Sequence, residues 1–178
     1  MNKNTKKTTA IVIVAAMIAM EFILNRFVGI TTDTIHVAVD FLPIAVVAML
    51  YGPIWSTAAY AIGDVLGALL FPYGPINPGI TLANALIGLA YGLIFYKKDL
   101  SGKKIILNTL FASLIAAIPI KLFLTTFFLS IAYGTPYNAF IIARIPTCAL
   151  LFAAQMILIP IVYRFVVYRL PIYRTQLE

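Results

Sequence analysis

One cysteine and one histidine occur in the chain, so an internal disulfide is excluded and no histidine-based metal centre can be assembled. Charge is equally scarce. Only 11% of the 178 residues are Asp, Glu, Lys or Arg, and 6 of these are acidic. The phosphate-cradling G-x-x-x-x-G-K-[ST], the nucleophile elbow G-x-S-x-G and the zinc motif H-E-x-x-H are all absent. No carboxylates are spaced as an intramembrane acid–base dyad. A catalytic residue, a resident metal and a cofactor are therefore not expected, and any uphill work must draw on an ion gradient or a partner.

What the chain has is apolar residues, at 62% of the total. A soluble domain of this size cannot hide so much apolar surface, because a folded core still needs a wetted exterior. Six apolar runs, each long or nearly long enough to cross a bilayer, predict an all-α membrane protein with one domain over residues 1–178. The spans are read as Thr8–Asn25, Val37–Leu50, Ile54–Leu70, Ile80–Tyr96, Ile105–Ile131 and Ala139–Val167, the last bent at Pro146 and Pro160. The second is short for a span. Between the third and fourth, residues 71–79 hold three prolines and two glycines and cannot be helical.

The net charge is +7. Its cations cluster at the N-terminus, in the loop after the fourth helix and in the C-terminal tail, and six helices bring all three to one side. The positive-inside rule makes that side the cytoplasm, with both termini there. The same placement makes the membrane surface, not nucleic acid, the partner of the basic charge.

Polar residues inside the runs point to function, since lipid-facing charge at depth costs a few kcal/mol. Glu21 and Asn25, Asp64, Asn84, Lys121 and Thr125, and Arg144 fall in the half opening away from the cytoplasm; Cys148 and Gln155 share the face of Arg144. A cavity reached from outside accounts for them together. Bland readings stand beside this one: Arg26 and Arg144 snorkel to headgroups, Glu21 neutralises Lys121 or Arg144, Asn84 joins two helices, and Phe71, Tyr73 and Tyr137 form an interfacial belt. On a helical wheel Arg26 turns away from Glu21 and Asn25, while Asp33 and Asp40 fall near the wet boundary. Ala15 and Ala19 make a smooth face on helix 1, fit for a partner protein; the stripes Gly63/Gly67 and Gly88/Gly92 read as internal packing.

Phe41-Leu42-Pro43-Ile44, Tyr51-Gly52-Pro53, Gly63-Asp64-Val65-Leu66-Gly67-Ala68-Leu69-Leu70-Phe71-Pro72, Pro78-Gly79-Ile80-Thr81-Leu82, Gly88-Leu89-Ala90-Tyr91-Gly92-Leu93 and Ser130-Ile131-Ala132-Tyr133-Gly134-Thr135-Pro136 resemble the folate-specific substrate-binding S components of energy-coupling factor (ECF) transporters. The resemblance spans nearly the whole chain. It implies a vitamin binder in a bacterial cell membrane, delivering a water-soluble vitamin together with a transmembrane coupling protein and two ATP-binding subunits. It places the coupling protein on the Ala15/Ala19 face. The ligand site implied combines Asp64 as acceptor for a ring donor, Arg144 and Lys121 for an anionic tail, Asn84 and Thr125, and Phe71, Tyr73 and Tyr137 at the mouth. Two positions depart from the folate-type pattern: Thr125-Thr126 stands where Asn-Thr is expected, and Thr147 stands where a Lys is expected. An S component for another vitamin, such as pantothenate or thiamin, keeps everything but the pocket. A stand-alone ion-coupled transporter would use Glu21 or Asp64 as its coupling carboxylate. A lipid-active membrane enzyme would need an acidic metal cluster that the sequence lacks.

Overall fold

The computed structural model describes residues 3–31, 36–72, 76–97, 100 and 102–170. Helix α1 (Lys3–Ile23) runs on as a wide-turned π segment, Leu24–Val28. Its described side chains bury only Ala10, Val14 and Glu21, so α1 lies on the outside of the bundle. The helix starts earlier than its apolar run, because the basic N-terminal residues continue the same spiral. A short antiparallel pairing of Ile30–Thr31 with His36–Val37 turns the chain back.

Helix α2 (Phe41–Tyr51) has 11 residues, and Phe41 together with Pro43–Leu50 is buried. At 1.5 Å per residue it is about 16 Å long, roughly half a bilayer core. A helix that is apolar all round belongs inside a bundle, and α2 touches α1, α3, α4 and α7. Its shortness is that of a central strut. Gly52, with φ of 87°, ends it, and the Tyr96 ring lies where a side chain at 52 would be. Pro53 then opens α3 (Pro53–Leu70) at a position that needs no N–H.

Helix α4 (Pro78–Phe95) is capped by Asn77, whose side chain accepts from the Gly79 N–H at 2.9 Å and donates to the Phe128 carbonyl at 2.9 Å. Helices α3 and α4 make the most extensive pairing of the bundle. Gly88 and Gly92 of α4 lie directly on the backbone of Ser56 and Pro53, and Ser56 Oγ donates to the Gly88 carbonyl at 2.7 Å. The glycine stripe of α4 thus serves internal packing.

The fifth span is α5 (Lys103–Ile115), a ten-residue π segment (Ala116–Thr125) and α6 (Thr126–Tyr133). Pro119 lies inside the π segment; it has no N–H to give, and its ring pushes on the preceding turn. Gly134, left-handed at φ 64°, stops α6. Helix α7 (Tyr137–Phe165) runs as one element through both Pro146 and Pro160, so neither proline interrupts it. Among the described residues, five helical stretches are long and apolar enough to cross a membrane, and α2 is the short apolar sixth.

Candidate functional site

Polar side chains gather in the interior, where α1, α2, α3 and α4 pack on one another. Three acids anchor it. Asp64, half-buried on α3, accepts from Thr81 Oγ1 through one oxygen and from Asn84 Nδ2 at 3.0 Å through the other. Thr81 and Asn84 are three residues apart on α4, hence on one face. Asp40, 3% exposed, accepts from Asn25 Nδ2 and from the hydroxyl of fully buried Tyr60, both at 2.9 Å. The expected wet boundary at Asp40 is overturned: α2 begins inside the bundle, and two donors hold the carboxylate there. The third acid, Glu21, is 1% exposed. Its carboxylate rests on Gly63, where a Cβ would collide with Oε2, and neither oxygen has a hydrogen-bond partner.

Cations face these acids. Arg26 lays its guanidinium against Gly67, where a Cβ would be 2.5 Å from Nε. The wheel turned Arg26 away because it assumed an α-helical step throughout. The π segment at Leu24–Val28 winds more slowly and swings the side chain back onto α3. The stripe Gly63/Gly67 therefore makes room for two charged side chains of the first span. Lys121, half-buried in the second π segment, is within electrostatic reach of both Glu21 and Cys148. Arg144, 9% exposed, joins Lys121 beside Cys148, and its Nε has no hydrogen-bond partner. Phe140, Arg144, Thr147, Cys148, Leu151 and Gln155 are all buried on α7, as their spacing predicts.

Aromatic rings gather in two groups. Phe71 stacks edgewise on Phe27 at 5.4 Å between centroids and meets Phe22 at 5.9 Å. In the second group, Phe127 touches Phe128 and Tyr137, and the Phe128 ring covers Gly79. Tyr137 donates its hydroxyl to the Phe123 carbonyl at 3.4 Å. Thr125, buried, donates back to the Ile120 carbonyl at 3.1 Å, so its proton is used inside its own helix. Tyr73 and Asp33 lie outside the described residues. Of the expected set, Asp64 and Asn84 meet directly, and Lys121 and Arg144 lie within reach of Cys148. The Asn25–Asp40–Tyr60 triad, Thr81 and Arg26 were not anticipated as site residues; the spacing of Thr81 from Asn84 could have revealed the first contact to Asp64.

On α1, Ala15 and Ala19 are exposed together with Ile11, Val12, Met20 and Ile23, an unbroken outward face.

Comparison with known proteins gives one family throughout. Residues 5–168 match the family model for the ECF-type riboflavin transporter, S component. The folate transporter FolT of Clostridium novyi (strain NT) is 32% identical over 154 residues, which cover 86% of this chain and 87% of that protein. The FolT of Streptococcus mutans serotype c is 31% identical over 132 residues, covering 72% and 71%. A crystal structure of FolT bound with folic acid superposes with a TM-score of 0.79 at 30% identity, covering 88% of this chain and 92% of the other. The fold and the extent of these matches converge: the chain belongs to the S components of ECF-type transporters.

Proposed function

We propose that this chain is the folate-binding subunit of an ECF-type importer, taking the vitamin from outside a bacterial cell and delivering it with an ATP-driven coupling module. The observation that carries the ligand assignment is Arg144. A guanidinium nine-tenths buried, with an Nε that has no partner, is expensive unless a ligand anion completes it. Folate brings a carboxylate tail for Arg144 and Lys121, and a flat ring with donors for the acid cluster. Likeness to a FolT bound with folic acid supports the same ligand. Asp64, held by Thr81 and Asn84, stands in the wall of the site with Asn84 and Thr125, and Phe71, Tyr73 and Tyr137 close the mouth.

Orientation follows from charge. Lys97, Lys103, Lys104, Arg164 and Arg169 gather at the end opposite the polar half, which makes that end cytoplasmic and opens the site outward across six spans. The exposed Ala15/Ala19 face would receive the transmembrane coupling protein, which in turn carries two ATP-binding subunits.

A flavin is the second reading, favoured by the riboflavin in the family model's description. Riboflavin has a flat ring but no carboxylate, so Arg144 would be left incomplete. Calorimetric titration of the purified chain with folate and riboflavin separates them. Tight folate binding near one to one, weakened at least tenfold by Arg144→Ala, is expected. Tight riboflavin binding indifferent to Arg144→Ala would replace folate, and silence toward both in a folded protein would refute the vitamin assignment.

A further inference from the structure

Three acids share the polar half, and they are not equivalent. Both oxygens of Asp64 already accept a bond, from Thr81 and Asn84. Asp40 accepts two bonds on one oxygen. Glu21 is more buried than either, and among the described residues nothing donates to either of its oxygens. A buried polar group left so is unfavourable by about 1–3 kcal/mol, and more when charged. Native interiors keep such groups where something absent from the resting protein completes them.

The placement of Glu21 is central, not peripheral. Its carboxylate lies at Gly63, the residue before Asp64, because glycine alone leaves space for it. Asp40, Asp64, Arg26 and Lys121 are its charged neighbours, drawn from the start of α2, from α3 and from the π segments of the first and fifth spans. Its carboxylate thus lies among these charged groups, against the residue next to Asp64. A planar carboxylate with two open oxygens complements two parallel N–H donors on adjacent atoms, the pattern that makes carboxylate pairs bidentate. Folate's ring carries such a pair in its 2-amino group and neighbouring ring N–H.

We infer that Glu21 is the specificity-determining acid of this site, accepting both donors of a 2-amino-4-oxopyrimidine edge, while Asp64 positions Asn84 and Thr81. Arg144 and Lys121 then hold the opposite, anionic end of the same molecule. This rests on the reading of the site as a folate site; it adds which acid reads the ring.

The experiment is a two-by-two titration: wild type and Glu21→Gln, each with folate and with 2-desaminofolate. The wild type should lose at least tenfold in affinity when the 2-amino group is removed, equivalent to about 1.4 kcal/mol. Glu21→Gln, which presents a donor where an acceptor is needed, should bind folate at least tenfold more weakly and discriminate little between the two ligands. Asp64→Asn should keep the wild-type discrimination even where its affinity falls. If Glu21→Gln does not fold, Glu21→Met takes its place, since it removes both the oxygens and the need to satisfy them. Undiminished discrimination in the Glu21 variant, or its transfer to Asp64→Asn, overturns the inference and leaves the folate reading standing. A wild type that binds no folate removes both.

Discussion

Replacing Gly88 by alanine tests the contact that aligns α3 with α4. A Cβ there would lie 2.8 Å from the Ser56 carbonyl carbon and 3.0 Å from Thr57 Cα, and would collide with the Ser56 oxygen; ordinary contact begins at 3.4 Å. The obstacle is backbone, so no side chain can swing aside. The helices must part by at least about 0.6 Å, the shortfall at the carbonyl carbon. The 2.7 Å bond from Ser56 Oγ to Gly88 would stretch, and the 3.0 Å Asn84–Asp64 bond one turn away would move to the edge of hydrogen-bonding range. Overpacking costs about 1–3 kcal/mol and a lost hydrogen bond about 1, while alanine's better helix propensity returns about 1. A net loss of about 1–3 kcal/mol lowers the melting temperature by about 2–12 °C in a chain of this length. Cys148, the single cysteine and buried, is a built-in reporter: a thiol-reactive fluorophore added in detergent lights up as the bundle opens. Leu89→Ala, at an exposed neighbour, is the control and should melt near the wild type. If Gly88→Ala melts within about 2 °C of the wild type, the close approach of α3 and α4 is wrong.

The other consequences are brief. Tyr60→Phe removes one of the two donors, Asn25 and Tyr60, that hold Asp40 inside the bundle and should cost about 1–3 kcal/mol, read as an earlier melt with folate affinity falling less than for Arg144→Ala. Tryptophan at Ala15 or Ala19 adds bulk to an outward face, so it should leave the melt and ligand binding unchanged yet abolish vitamin uptake in cells that supply the coupling module; unimpaired uptake would move the coupling surface elsewhere. Lys121→Met should weaken folate but not its 2-desamino discrimination, because the cation serves the anionic end; a loss of discrimination would place Lys121 at the ring.

Much of this was legible before any coordinates. The apolar runs and the joints at Gly52-Pro53 and at residues 134–136 are properties of composition and spacing, and the bundle respects them. Two kinds of feature were not. The central role of α2 depends on tertiary contacts on every side, so its eleven residues read merely as a short span. Side-chain directions beyond the wide turns depend on where the winding changes, and nothing in Leu24–Val28 announces that change. Arg26 was misdirected for that reason. At Ala116–Thr125 Pro119 stands in the irregular stretch, although the fifth span was read through it as one run. Asp40 was misplaced because a residue at a helix start is exposed only when the helix starts at a surface.

The wide turns also bear on how this chain tolerates insertions and deletions. A π segment holds one residue more than the α-helical ladder needs, so losing one there restores an ordinary helix instead of breaking it. Everything beyond the deletion would then keep nearly its present azimuth, because the wide turn already absorbs the extra residue. A single-residue deletion between 116 and 125 would leave the span intact and Phe127 and Phe128 near their present directions, whereas the same deletion in an α-helical stretch would turn everything beyond it by about 100°. Length and hydropathy tolerate either change; what the deletion does to the ring contacts beyond it depends on the kind of turn in which it falls.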